Sequence, residues 1–268
     1  VEARYLDWGG HEISSEELTP PVQRLLEACN DNPSCEVIQL RADSTQKTQT
    51  IVAEFAEGSF DIINVPGIHR VERLALTFSP EADSHWEVRA LRTDFPVTIH
   101  QNHTPEGEPR SLCLYIEPWT TVQRAWTPEL FLKRIFWWLR ATAEQTIHGE
   151  DQPIEHLFFY SPYSVILPKD HFSSEETLQR KLRFETIQYE GLSDITLVAK
   201  YADDSDKTTA PSCFSVSLLL APIENGPVED YPSTLGALED ILVRRGNHAA
   251  PLLKDAIKSS VTSEGIHI

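Results

Sequence analysis

The sequence predicts an α+β protein of two domains, the first built on an antiparallel meander, and three observations carry that prediction. Four short β-like segments follow one another between residues 35 and 91, a strongly apolar helix begins at Thr127-Pro128, and the texture changes near residue 155. At 268 residues the chain has room for two domains of roughly 100–200 residues each. The expected division is 1–154 and 155–268, the second a smaller α+β unit.

The first element reads as a helix. Ser14-Ser15-Glu16-Glu17 is an N-terminal signature, Val22, Leu25, Leu26 and Cys29 recur at helical spacing, and Asn30-Asp31-Asn32-Pro33 stops the run. Cys35–Leu40, Thr50–Ala56, Arg73–Phe78 and Trp86–Leu91 read as strands separated by turn-rich stretches such as Ser79–Ser84. Strands joined by short turns pair antiparallel, which gives the meander. From Phe95 to Arg110, Pro96, Pro105, Pro109 and Gly107 mark an irregular loop that runs into the apolar segment Leu112–Ile116. The clearest helix follows. Thr127 is a good N-cap, Pro128 fits the first turn where its missing N–H does no harm, and Glu129 complements the dipole. Phe131, Ile135, Trp138 and Thr142 form its apolar stripe, which Leu132, Phe136 and Leu139 broaden; Trp137 and Trp138 cannot share one face. Beyond 155, Leu157–Tyr160, Ser164–Leu167, Phe184–Tyr189, Asp194–Tyr201 and Cys213–Ala221 read as strands, Asp203–Lys207 as a hairpin tip, and Leu235–Arg245 and Ala250–Ser259 as helices.

Composition narrows the function. Hydrophobic residues make up 40% and charged residues 24%, ordinary values for a globular protein. With 23 basic and 41 acidic side chains the net charge is −18, so a phosphate backbone or an anionic membrane surface is repelled, and neither nucleic acid nor membrane is expected as a partner. No apolar run approaches the ~18 residues of a membrane helix. The four cysteines, Cys29, Cys35, Cys113 and Cys213, form no C-x-x-C and no zinc-finger spacing, so no metal ligands are expected, and reduced thiols in a cytoplasmic setting fit best. The absence of methionine is consistent with a piece of a longer protein.

One constellation carries chemistry. His100, Asn102 and His103 lie on the loop before Cys113-Leu114-Tyr115-Ile116, and Trp126-Thr127-Pro128-Glu129-Leu130 opens the apolar helix after it. Cysteine suits acyl transfer in both directions, because its thiolate is strongly nucleophilic even when only a few per cent is ionised. Transfer of an acyl group to an amine passes through an oxyanion, which needs an N–H donor close by.

The order Cys113-Leu114-x-Ile116 followed by Trp126-Thr127-Pro128-x-Leu130 resembles ubiquitin-conjugating enzymes, in which a His-Pro-Asn loop precedes a C-L-x-I segment and W-S-P-x-L opens a helix. The interval from His103 to Cys113 equals that family's His-to-cysteine interval. Two departures stand out: His103 is followed by Thr104-Pro105, so the asparagine is absent from its usual place, and the connection from Cys113 to Trp126 is longer than usual. Both are similar to bacterial conjugating-enzyme relatives, including those of CBASS anti-phage operons. The motifs cover residues 95–145, with topological support over 10–155. The resemblance implies a ubiquitin-conjugating fold over 1–154 and an α+β linker domain over 155–268, with an adenylation domain after it. It implies Cys113 as the thioester carrier, with Asn102 or His103 in place of the missing asparagine, a choice that stays open. Implied partners are a ubiquitin-activating-like adenylation domain, which uses the ATP, and a modifier C-terminus such as that of a cGAS-like nucleotidyltransferase. No cofactor is expected in this chain.

Other readings compete. An isolated cysteine is more often core than catalyst, and a conjugating-like scaffold that only binds its modifier would also suit the two departures. A cysteine hydrolase needs an orienter for its histidine, which spacing alone does not supply. Trp126, Trp137 and Trp138 read as packing residues, His148 and His156 as surface or loop residues, and Cys29, Cys35 and Cys213 as plain thiols.

Overall fold

The computed structural model describes residues 4–80, 86–105, 107–149, 152, 155–158, 163–180, 182–188, 195–202, 214–215 and 220–260. The chain divides into two compact units, Val1–Glu155 with Gly226–Val228, and His156–Asn225 with Glu229–Ile268.

In the first unit a short strand β1 (His11–Glu12) precedes helix α1 (Pro20–Asp31). The Ser14 signature does not start that helix. Ser14 and Glu17 close a capping box around a single 3-10 turn, Ser15–Glu17, and Leu18 then turns extended. The pair Pro20-Pro21 resets the start, because proline at a first-turn position gives up no hydrogen bond. Thr19, the N-cap, is tied instead to Gln49, whose Oε1 accepts from its backbone N–H at 2.8 Å and its hydroxyl at 2.9 Å. Val22, Leu25, Ala28 and Cys29 are buried, in agreement with the stripe read from the sequence.

Strands β2 (Cys35–Asp43), β3 (Thr48–Ala56), β4 (Val71–Phe78) and β5 (Glu87–Ala90) contain most of each segment read as strand, and each pairs antiparallel with the next. Two short strands, β6 (Gln101–Asn102) and β7 (Arg110–Leu112), complete a seven-stranded sheet of order β1-β2-β3-β4-β5-β7-β6. After β7 come a one-turn helix α2 (Trp119–Val122) and the long helix α3 (Pro128–Ala143), where Thr127 Oγ1 accepts from the Leu130 N–H as an N-cap should. The extra residues between Cys113 and Trp126 thus contain α2.

The sheet is covered on both faces because its strands alternate two apolar sets. Ile51, Ala53, Phe55, Leu74, Leu76, Val88 and Ala90 pack with α1 and α3 in the main core. Val52, Ala75 and Leu91 face the other way, under Tyr5, Trp8 and Ile38. A strap formed by the residues before β1 crosses that outer face. Tyr5 bridges to Arg92, the Trp8 indole N–H donates to Thr50 Oγ1 at 3.1 Å, and the Arg73 guanidinium lies 3.9 Å over the Tyr5 ring. The adjacent tryptophans divide their work: Trp138 is fully buried, whereas Trp137 is half-buried with the Arg134 guanidinium 4.0 Å over its ring.

One ionic network is buried outright. Glu72 has no exposure and Arg92 is 3% exposed; Arg92 donates to both Glu72 carboxylate oxygens, to Asp94 and to the Gly67 carbonyl. It ties the β3–β4 connection to the end of β5.

The second unit holds a four-stranded sheet of order β11-β9-β10-β8, from β8 (Tyr163–Ile166), β9 (Leu182–Gln188), β10 (Ile195–Tyr201) and β11 (Phe214–Ser215). β10 runs parallel to β8 and antiparallel to β9. The short helix α4 (Glu175–Gln179), capped by Ser174, has too few turns to leave a periodic pattern in the sequence. Helices α5 (Leu235–Arg244) and α6 (Ala250–Ser260) occupy the positions read for them, and Thr234 caps α5. Of the segment read as a strand from Leu157, the described residues make an isolated bridge, Phe158 to Glu229; its last residues, with Cys213, residues 216–219 of the strand read after it and the hairpin tip at 203–207, lie outside the described residues. Among the described residues no helix is long and apolar enough to cross a membrane.

Candidate active site

Cys113 leaves the sheet directly after β7. Its position is set by the hairpin β6–β7, in which Gln101 pairs with Leu112 and Asn102 with Ser111. The Asn102 side-chain amide donates to Ser111 Oγ at 3.0 Å and to the Leu112 carbonyl at 3.2 Å, so both its hydrogens serve the hairpin. One step further the Cys113 N–H donates to the His100 carbonyl at 2.9 Å. The same carbonyl accepts the Trp138 indole N–H at 3.2 Å, which ties the loop to α3. His100 adopts a left-handed backbone, φ 57°, uncommon for a residue with a Cβ, and this aims its carbonyl at the cysteine.

An open groove of about 900 Å³ runs over the outer face of the sheet. Cys113, Asn102 and His103 all line it, with Thr50, Thr77 and Arg89 further along. His103 is exposed and Cys113 half-buried. Cys113 also borders a second cavity of about 40 Å³ that it shares with His100, Arg134, Trp137 and Gln152. Its thiol sits 3.8 Å from the Tyr115 carbonyl oxygen, a weak sulfur contact. Burial pushes the thiol's pKa up, Glu155 pushes in the same direction, and the Arg134 guanidinium pulls it down. Arg134 is held by its Nε–H donating to the Leu114 carbonyl at 2.7 Å, one residue past the cysteine.

His100 adds a feature that sequence spacing gives no hint of. Its Nδ1 lies 3.3 Å from Glu155 Oε1 and its Nε2 lies 3.3 Å from His148 Nδ1. A carboxylate only accepts, so Nδ1 carries the proton and Nε2 accepts from His148. Burial lowers the pKa of His100; Glu155 raises it, and His148 and Arg134 lower it. Both ring nitrogens are engaged, so this imidazole is not poised as a base for Cys113 in the manner a hydrolase requires. His148, read as a surface or loop residue, is half-buried against His100, whereas His156 is exposed. What brings His148 back is the reversal after α3, where Gln145 takes a left-handed φ of 58° and Thr146 donates to the Ala141 carbonyl. No fixed spacing marks such a turn.

Trp126 stacks on Trp86 at 5.8 Å and 8° and contacts Phe131, so the tryptophan of the motif is a packing residue. It fixes the entry of α3 against β5.

No curated protein matches the chain. The family description "prokaryotic E2 family A" matches residues 22–177, a span that takes in α1 from Val22, the sheet from β2 onward, Cys113 and α3. A match over more than half of the 268 residues settles the membership: the chain belongs to the prokaryotic E2 family A.

Proposed function

We propose that the chain is a conjugating-type acyl carrier with Cys113 as its thioester-forming residue. The observation that carries this reading is the place of Cys113, at the exit of β7 on the wall of the open groove, within a family of conjugating-enzyme type. In the first step the Cys113 sulfur attacks the carbonyl carbon of a thioester on an activating domain, and the donor's sulfur leaves as a thiolate. In the second, an amine nitrogen attacks the new thioester carbonyl, the bond from carbon to Cys113 Sγ breaks, and the nitrogen loses a proton as the amide forms. The raised thiol pKa suits the second step least, since it makes Cys113 a poorer leaving group, and Arg134 is the cation at hand to offset this. With both amide hydrogens engaged in the hairpin, Asn102 acts as a positioning residue, and His103, exposed on the groove wall, is the one that meets the substrate in this reading.

The partner in this reading is a ubiquitin-activating-like adenylation domain, in the same polypeptide or another, which consumes ATP. The acyl group is the C-terminus of a modifier protein, in a CBASS-type system that of a cGAS-like nucleotidyltransferase. Residues 155–268 then serve as the linker domain between conjugating and adenylation domains.

The test is a charging reaction with activating domain, ATP and modifier, resolved on a non-reducing gel. A thiol-reducible adduct is expected with the wild-type protein, none with Cys113→Ala, and a reductant-resistant ester with Cys113→Ser. An adduct that persists in Cys113→Ala overturns the assignment. So does the absence of any adduct while the activating domain itself becomes charged, which leaves a docking role.

A further inference from the structure

We propose that His100, His148 and Glu155 form a binding site for one divalent metal ion of the zinc type. The three residues each offer one ligand atom, and these atoms all lie within 4.8 Å of one another. All three are half-buried, on the wall of the unit rather than on a solvated acidic face.

The geometry fits a particular ion. Zinc binds imidazole nitrogen at about 2.0–2.1 Å, so two ligands of a tetrahedral site stand roughly 3.3 Å apart. His100 Nε2 and His148 Nδ1 are 3.3 Å apart. Without metal that contact is a hydrogen bond, which requires a proton on His148 Nδ1. When metal binds, that proton moves to Nε2 of the same ring through solvent, which leaves a lone pair on each of the two facing nitrogens for the ion. The proton stays on the His148 ring, so the exchange balances without an oxidant or a net loss of protons.

Glu155 supplies the charge. Its carboxylate lies within 4.8 Å of the ligand atoms that the two histidines offer. Two histidines and a carboxylate are a donor set that zinc accepts with a further position open, whereas magnesium and calcium prefer oxygen throughout. Arg134, close enough to act electrostatically on His100, opposes a cation here. Its guanidinium is anchored on the Leu114 carbonyl and the Trp137 ring. The ligands come from two places far apart in the chain, on the loop before β6 and after α3, so the site also ties those segments together.

The experiment is zinc titration of the chelator-stripped full chain, read by competition with a chromophoric chelator and by thermal melting. One zinc per chain and a rise in melting temperature are expected. His148→Ala and Glu155→Gln should each weaken binding at least ten-fold, while His156→Ala, an exposed histidine, leaves it unchanged. Glu155→Gln keeps an acceptor for His100 Nδ1, and far-UV circular dichroism without metal checks that both variants fold. Equal zinc affinity in His148→Ala and wild type, or no saturable binding in wild type, overturns the proposal. Cys113→Ala is expected to retain the site, so its outcome stands apart from that of the charging reaction.

Discussion

The Cys113 N–H donates to the His100 carbonyl at 2.9 Å, and this one bond decides where the sulfur leaves the sheet. Because the Trp138 indole N–H meets the same carbonyl at 3.2 Å, a core residue of α3 holds the loop that holds the cysteine. Trp138→Phe keeps an aromatic ring in the core but removes that donor and part of the volume. A loss of about 1–3 kcal/mol in unfolding free energy is expected, measured by urea denaturation. The alkylation rate of Cys113, followed by mass spectrometry of its peptide, should change in the same variant, while that of Cys35 should not.

The Arg92–Glu72 pair gives a larger effect. Side-chain exposures of 2% and 0% leave no solvent to replace a lost partner. Glu72→Gln keeps the shape and one acceptor oxygen but removes the charge and puts an NH2 where Arg92 now donates, leaving the Asp94 carboxylate, largely exposed, as its anionic partner. The expected cost is about 3–5 kcal/mol, read from the denaturation midpoint at constant m-value.

Cys29 and Cys35 should differ sharply in reactivity with pH. The Cys29 and Cys35 thiols act on one another, and the interaction lowers the pKa of Cys35 against the opposing effect of burial while raising that of fully buried Cys29. A lowered pKa means thiolate at lower pH, so the iodoacetamide labelling of Cys35 should rise below the ordinary thiol range of about 8.5. Cys29→Ala removes that interaction and should move the profile to higher pH. Site-resolved labelling between pH 6 and 10 reads both, and a profile for Cys35 that does not move in Cys29→Ala would show that Cys29 has no part in it.

Where the sequence spoke clearly it did so through local chemistry. Thr127-Pro128 announced α3 because an N-cap and a first-turn proline act within one turn, and the short apolar segments at 50–56 and 73–78, bounded by turn-rich stretches, announced β3 and β4. The start of α1 misled for the same reason: Ser14 and Glu17 do form a capping box, but two prolines further on claim the helix. The position of Cys113 after an irregular loop was legible, as was its neighbourhood with Asn102 and His103. The cluster of His100 with His148 and Glu155 was not. It depends on a left-handed residue at Gln145 that folds the chain back after α3. Contacts of that kind belong to the fold and leave no period or motif behind.

The strap of Tyr5 and Trp8 has a practical corollary for anyone who shortens the protein. A version that starts at α1 would lay bare Val52, Ala75 and Leu91 on a broad, flat β-surface, the sort of surface that sticks to its own kind. Such a version should drift from monomer to aggregate on a sizing column, and would also lose the wall that Asp7, Trp8 and Gly9 give to the channel beside Cys113.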